Sequence, residues 1–130
     1  MRHNVGSGSP WESQVGYSRA VRVGDVVHVS GTTAVRDGVV QAPGDPYGQA
    51  LLALEIIATA LADCGAALTD VVRTRIYVTD IAHWPEVGRA HGEFFADVRP
   101  AATMVQVVAL IDPGLLVEIE AEAVVTRPGR

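Results

Sequence analysis

Residues 20–31 read AVRVGDVVHVSG and contain two runs of β-branched residues, separated by Gly24-Asp25. Two residues of this kind between such runs predict a tight β-hairpin with strands over Ala20–Val23 and Val26–Ser30. Outward from this hairpin, a second short turn is predicted at Asp37-Gly38.

The length of the first turn fixes the predicted register of the hairpin. If the turn has two residues, Val23 pairs with Val26, and counting back places Arg19 opposite Ser30. Arg19, His28 and Ser30 then share one face of the sheet. A slip of one residue would separate them, so Ser30 as a simple hydrogen-bonding residue at a strand end remains the alternative.

Two helices and three further strands follow along the chain. Asp45-Pro46 predicts a helix start, because Asp caps free N–H groups and Pro suits the first helical position, and Gly65 predicts its end. The second helix runs from Trp84 to Phe95 and carries an apolar stripe that includes its two end residues. The residues of this stripe are Trp84, Val87, His91, Phe94 and Phe95. The three remaining predicted strands are Val72–Val78, Ala101–Leu110 and Leu116–Val125.

This order, ββ(β)αβαββ, predicts an α/β (α+β) fold with a mixed sheet and at least one parallel crossover. The length of 130 residues fits one domain. We expect an N-terminal arm at residues 1–15, the domain at 16–126 and a C-terminal tail at 127–130. Two helices cover one face of the sheet, so the other face needs a separate explanation.

Charged side chains mark that uncovered face. The alternation in the strands places five of them there, together with Tyr77; the five are Arg73, Arg75, Glu118, Glu120 and Glu122. The face is either solvated or a subunit interface in which the charges pair. Because residues 101–110 are apolar on both sides of their strand, the pattern favours assembly of several copies.

Composition excludes several classes of function. The net charge is −5 and the basic residues are all Arg, which argues against a nucleic-acid surface, a Schiff-base lysine and a Walker-type phosphate loop. No apolar run reaches the length of a membrane span, and the first ten residues do not resemble a signal peptide, so we expect a cytoplasmic protein. Cys64 stands alone and is predicted to be a buried, inert thiol.

Candidate chemistry is limited to carboxylates. The four histidines do not stand at metal-ligand spacings, so no metal site and no cofactor is predicted, and His91 is expected to be a packing residue. Glu118 and Glu120 share a face about 7 Å apart, and in a low-dielectric interface one of them could serve as an acid or base. Plain ion pairing with Arg73 or Arg75 is the alternative.

Several segments, taken together and in order, resemble the Rid (reactive intermediate deaminase, YjgF-like) family from about Gly16 to Val125. They are Gly16-Tyr17-Ser18-Arg19-Ala20, Gly24–Gly31, Val78-Thr79-Asp80, Gly92-Glu93-Phe94-Phe95, Arg99-Pro100-Ala101 and Val117-Glu118-Ile119-Glu120-Ala121. The resemblance implies a chorismate-mutase-like fold and a homotrimer in which the open sheet faces form a central barrel with small-molecule clefts between subunits. It also implies hydrolysis of reactive 2-imino or enamino acids.

The resemblance carries Tyr17, Ser30, Thr103 and Glu118 over as cleft residues, with Glu118 orienting the attacking water. The family's substrate-binding arginine corresponds to Ala102, and a methyl group cannot hold a carboxylate. Arg75, on the open sheet face, or Arg19 could replace it, and ion pairing with Glu118 or Glu120 is the alternative for these arginines.

Two main hypotheses follow. The first is a trimer that binds a small polar or carbonyl-like molecule and hydrolyses an enamine, imine or amide-like bond, with little activity on ordinary 2-imino acids. The second is a non-catalytic ligand-binding or regulatory trimer. A ribonuclease or translation inhibitor is disfavoured by the acidic charge and the absence of Lys.

Overall fold

The computed structural model describes residues 1–126, so the predicted tail at 127–130 lies outside the described residues. Ten regular strands and helices follow one another along the chain. They are β1 (Arg2–Val5), β2 (Ala20–Val23), β3 (Val26–Thr32), β4 (Val35–Arg36), β5 (Val39–Val40), α1 (Pro46–Asp63), β6 (Val71–Val78), α2 (Trp84–Phe95), β7 (Ala101–Gln106) and β8 (Val117–Val124).

One mixed sheet has the order β1-β2-β3-β8-β6-β7, and β4 and β5 form a separate small hairpin. All neighbours in the main sheet are antiparallel except β6 and β7, which are parallel and are connected through α2. The predicted α+β architecture with one parallel crossover is therefore confirmed.

The β2–β3 hairpin has the predicted register. Val23 pairs with Val26, and the Ser30 N–H donates to the Arg19 carbonyl over 3.0 Å, so Arg19 and Ser30 lie opposite each other. Beyond them the pairing of β3 with β8 shifts between Val29 and Thr32, which is a β-bulge.

Both helices cover one face of the sheet. The Asp45 carboxylate caps α1 by accepting from the Gly48 N–H over 2.9 Å, and Gly65 takes a positive φ of 74° just after the helix. The core lies between the helices and the sheet, and its largest buried side chains include Phe95, Leu54 and Ile57. The part of the chain that the structure describes contains no helix long and apolar enough to cross a membrane.

Three details differ from the expectations. Residues 2–5 form an edge strand within the expected arm, which the sequence pattern did not indicate. The strand predicted to reach Leu110 ends at Gln106. Trp84 is 61% exposed, because the buried side of α2 contains Val87, Ala90 and Phe95 and is turned away from it.

Candidate functional site

The open face of the sheet carries a connected network of charged and polar groups. Arg75 Nη1 donates to Glu122 Oε1 over 2.6 Å and lies 3.8 Å from Glu120 Oε1. The Tyr77 hydroxyl donates to the same Glu120 oxygen over 2.8 Å, and His28 Nδ1 lies 3.5 Å from Glu122 Oε2. The hydrogen bond to Glu122 raises the pKa of Arg75, and that to Glu120 raises the pKa of Tyr77. The charges therefore pair within one chain.

This network borders a recess of about 260 Å³, the open-face recess, which brings together three of the predicted site residues. Ser30, Arg75 and Glu120 all line it. The Ser30 hydroxyl donates to the Ser18 carbonyl over 2.6 Å, so this side chain also ties β3 to the segment before β2.

Glu118 lies on the same face but outside the network. Within residues 1–126 its carboxylate accepts no hydrogen bond and forms no ion pair within 4 Å. Burial raises its pKa, the negative charge of Glu120 raises it further, and the positive charge of Arg19 lowers it. A half-buried carboxylate without a fixed donor is available to bind and move a proton.

The carboxylate of Glu118 rests directly on the backbone of Gly31, in the bulge of β3. A Cβ atom at residue 31 would lie 2.9 Å from the Glu118 carboxyl carbon and closer still to Oε2. Any side chain at residue 31 would displace the end of the Glu118 side chain, so Gly31 belongs to the candidate site, which the sequence pattern did not reveal.

Arg19 also contacts Gly31. Its Nη2 donates to the Gly31 carbonyl over 2.6 Å, and its Nε is buried without an acceptor among the described residues. Burial lowers the pKa of Arg19, against the opposing effects of Tyr17, Glu12 and Glu118. Tyr17 itself is 38% exposed and donates its backbone N–H to the Glu12 carbonyl over 3.0 Å.

Ala102 and Thr103 lie on the edge strand β7, away from Glu118. Thr103 accepts from Arg73 Nη2 over 2.7 Å on the open face. Ala102 is exposed and pairs with Thr74, whose buried hydroxyl lies 2.9 Å from Nε2 of His91 on the helix side. Neighbouring residues of paired strands point to the same face, so Ala102 belongs to the helix side.

One chain therefore does not bring all the predicted site residues together. Glu118 pairs with Tyr77 on the open face, whereas Ala102 lies two strands away, about 10 Å, on the opposite face. A site containing both positions requires a second copy of the chain.

Gln49 is another residue that the sequence analysis missed. Its side chain is fully buried on α1, where Oε1 accepts from the Leu116 N–H over 2.8 Å and Nε2 donates to the Gly114 carbonyl over 2.9 Å. These two bonds fix the loop immediately before Glu118. A lone glutamine in a helical stripe gives no signal of such a role.

The predicted structural residues lie as expected. Cys64 is buried, and burial raises the pKa of its thiol. His91 packs its ring 4.7 Å from that of Phe95, and burial lowers its pKa. Among residues 1–126, no three His, Cys, Asp or Glu side chains cluster as a metal site would require.

Comparison with known proteins gives a consistent result over almost the whole chain. The family model described as endoribonuclease L-PSP matches residues 9–125. A protein of Streptomyces coelicolor is 43% identical over 119 residues, which cover 92% of this chain and 89% of that protein. The 3-aminoacrylate deaminase RutC of Acinetobacter baylyi is 34% identical over 108 residues, which cover 82% of this chain and 85% of the deaminase.

Solved structures agree with the fold. The crystal structure of Rv2704 from Mycobacterium tuberculosis, described as a member of the YjgF/YER057c/UK114 family, is 55% identical, with a TM-score of 0.88 and coverage of 96% of this chain and 100% of that one. The Escherichia coli protein TdcF, solved with bound serine, is 26% identical, with a TM-score of 0.78 and coverage of 95% and 94%.

Proposed function

The chain belongs to the YjgF/Rid family, and on that premise we propose that it is a homotrimeric enzyme that hydrolyses the C–N bond of a small enamine, imine or amide-like metabolite. The observation that carries this proposal is the Glu118 carboxylate, which is half-buried, has a raised pKa and is free of hydrogen bonds within the described residues. Such a group can take a proton from water and return it to a leaving amine.

The reaction balances with water alone. For an imine, Glu118 removes a proton from a water molecule whose oxygen attacks the imine carbon. The imine nitrogen takes up that proton as the carbinolamine forms. A second proton on the nitrogen then makes ammonia the leaving group, while the carbinolamine hydroxyl loses its proton to Glu118 and the carbon becomes a carbonyl. The family relationship to a 3-aminoacrylate deaminase supports this reaction class.

The cleft lies between subunits in this proposal. Glu118 and Ala102 belong to opposite faces of one chain, so a substrate that spans both must lie between copies. Exposed apolar groups on and after the edge strand β7 support assembly, since Val105 is 42% exposed and Ile111 is 83% exposed.

The substrate differs from an ordinary 2-imino acid. Ala102 offers no donor to a carboxylate, and Arg75 is already neutralised by Glu122 and Glu120. A substrate carboxylate at residue 102 would therefore lose a bidentate, charge-assisted pair of hydrogen bonds. We expect weak turnover of 2-imino acids and better turnover of substrates that present a neutral group there.

A deaminase assay tests the proposal. A PLP-dependent dehydratase generates 2-aminoacrylate, and keto-acid release is followed for the wild type, Ala102→Arg, Glu118→Gln and the control Glu55→Gln. Glu55 is an exposed carboxylate on α1 with only a 3.6 Å ion pair to Arg36, so its loss should not matter. We expect Ala102→Arg to gain activity over the wild type, and Glu118→Gln in that background to lose it about 100-fold or more.

Two outcomes would contradict parts of the proposal. A wild type as active on 2-aminoacrylate as an ordinary family deaminase would show that the argument from Ala102 is wrong. Retained turnover in Ala102→Arg/Glu118→Gln would remove Glu118 from the reaction.

A non-catalytic binding trimer is the second candidate, favoured by the bound serine in the related TdcF structure. It predicts saturable binding of serine without turnover of any enamine, and equal binding by Glu118→Gln. Ribonuclease activity is disfavoured by the net charge of −5 and the lack of Lys, so no salt-dependent RNA binding is expected.

A further inference from the structure

Arg19 is held at three points around the β3 bulge. Its backbone N–H donates to the Val5 carbonyl of β1 over 2.8 Å, and its own carbonyl accepts from Ser30 over 3.0 Å. Its guanidinium donates to the Gly31 carbonyl over 2.6 Å. The backbone and the side chain of Arg19 thus form hydrogen bonds with two successive residues of the bulge, Ser30 and Gly31.

Gly31 is also the surface on which Glu118 rests. The Cγ, Cδ and Oε2 atoms of Glu118 all lie within 3.3 Å of the position that a Cβ would take at residue 31. A shift of the bulge would therefore shift the carboxylate. Arg19 donates to the carbonyl of the same residue, so Gly31 is in contact with both Arg19 and Glu118.

Arg19 also differs from Arg75 in its charge balance. The guanidinium of Arg75 forms an ion pair with Glu122 at 2.6 Å, which neutralises its positive charge. Arg19 has no carboxylate within 4 Å among residues 1–126, and its interaction with Glu118 is purely through space. Its positive charge therefore acts through space on Tyr17, Glu12 and Glu118, and Glu118 is the one of these groups that lies in the candidate site.

We propose that Arg19 is a positioning residue for Glu118, fixing the β3 bulge that supports the carboxylate and supplying the positive charge that faces it. The inference rests on the proposed function only where activity is the readout. It assigns Arg19 a role that acts through Gly31 and requires no direct contact with substrate.

The charged and titratable groups that face Glu118 come from three strands. Glu120 lies on the same strand β8, Tyr77 lies opposite on β6, and Arg19 precedes β2. The Tyr77 hydroxyl donates a hydrogen bond to Glu120. Arg19 is thus the cation in this group, and its removal should raise the pKa of Glu118 because the ionised carboxylate loses its favourable partner.

The experiment measures the Glu118 carboxyl directly, by ¹³C NMR titration of the full-length chain. Arg19→Gln removes both the positive charge and the hydrogen bond to the Gly31 carbonyl. Arg19→Lys keeps the charge but lacks the planar guanidinium. Arg2→Gln is the control, because it makes an equal charge change at the exposed end of β1. Among residues 1–126, the one side-chain hydrogen bond of Arg2 is to Asn4 in the same strand, at 2.9 Å. Activity is then measured against pH in the Ala102→Arg background.

We expect Arg19→Gln to raise the pKa of Glu118, to move the acid limb of the pH–rate profile to higher pH and to lower kcat about 10- to 100-fold at neutral pH. Arg19→Lys should keep the acid limb near its wild-type position but lose about tenfold in kcat, with shifted amide signals at Ser30 and Gly31. Arg2→Gln should match the wild type in all three.

A folded Arg19→Gln variant with an unchanged Glu118 pKa would overturn the electrostatic part. If Arg19→Gln does not fold, Arg19→Lys decides, since wild-type kcat and wild-type Gly31 signals in it would overturn the positional part. Absence of turnover in every background would contradict the proposed function and leave the NMR test of Arg19 intact.

Discussion

At the scale of single residues, the site depends on the close approach of Glu118 to Gly31. The alternation of Val117, Glu118 and Ile119 was enough to predict that the carboxylate lies on the open face, and the burial of its two neighbours agrees. The contact with Gly31 could not be predicted, because a β-bulge is a local break in register that hydrophobic alternation does not encode.

Gly31→Ala tests this contact. The backbone of Gly31 does not take the left-handed conformation, so the added methyl group acts only by displacing the Glu118 side chain. Because that side chain is flexible, we expect the free energy of unfolding to fall by only about 1 kcal/mol, whereas turnover falls as far as in Glu118→Gln. Urea unfolding and the deaminase assay in the Ala102→Arg background measure the two effects.

The double variant Gly31→Ala/Glu118→Ala is the control, because it removes the atoms that the methyl group would strike. The stability cost of Gly31→Ala should shrink by about 1 kcal/mol in that background. An equal cost in both backgrounds would show that the two residues are not in contact.

A second prediction concerns pH and stability. Burial, with Glu120, raises the pKa of Glu118 in the fold, so the folded state holds the proton more tightly than the unfolded chain. The resulting stabilisation is complete below the unfolded pKa and is lost as the pH rises through the folded pKa. Wild-type stability should therefore carry a penalty at neutral pH that Glu118→Gln lacks.

Urea unfolding between about pH 4 and pH 7 measures this difference. Relative to the wild type, Glu118→Gln should gain stability as the pH rises over this range, whereas Glu55→Gln, at an exposed position, should not. A constant difference between Glu118→Gln and wild type across the range would contradict the raised pKa.

At the scale of strands and helices, the segment before β8 is fixed by a helix rather than by the sheet. The turn at Asp112 closes on itself, with the Gly114 N–H bonded to the Asp112 carboxylate over 2.8 Å. Gln49 on α1 then forms hydrogen bonds with the Gly114 carbonyl and the Leu116 N–H. The β2–β3 turn and the start of α1 were readable from the sequence, but the end of β7, the pairing of β1 with β2 and long-range bonds such as those of Gln49 depend on tertiary packing.

Gln49→Leu removes these bonds at nearly constant volume. It leaves the part-buried Leu116 N–H and Gly114 carbonyl without the partner that Gln49 supplies, and we expect a loss of about 3 kcal/mol in the free energy of unfolding. Gln14→Leu, on an exposed turn, is the matched control and should change stability by less than about 0.5 kcal/mol. A small effect of Gln49→Leu would mean that water replaces both bonds.

At the scale of the whole molecule, the two faces of the sheet have separate roles. The helix side holds the core and, at its edge, Ala102; the open side holds Glu118 and the paired charges. The sequence analysis predicted this division because helix number and strand alternation were both visible. It could not show that the charges pair within a chain, since Arg75 with Glu122 depends on the register of β6 against β8.

Subunit mixing tests whether Glu118 of one copy acts with residue 102 of another. Two kinds of chain are mixed. The double variant Ala102→Arg/Glu118→Gln has the arginine but lacks the acid–base carboxylate, and the wild type has Glu118 but lacks the arginine. If each cleft takes one residue from each of two neighbouring chains, random mixed trimers of equal amounts should contain both intact residues in about a quarter of their clefts. Activity should then rise to about a quarter of that of Ala102→Arg alone, well above the weak activity of either parent on 2-aminoacrylate.

The control for mixing is a combination that cannot complement. Chains of Ala102→Arg/Glu118→Gln mixed with Glu118→Gln contain no intact Glu118, so the mixture should stay inactive. Light scattering should show that this mixture forms trimers of the same mass. Activity that stays at the sum of the parents, despite demonstrated subunit exchange, would mean that Glu118 and residue 102 do not share a cleft. Because the two positions lie on opposite faces of one chain, that result would also remove residue 102 from the site of Glu118 and redirect the search for substrate contacts to the open-face recess.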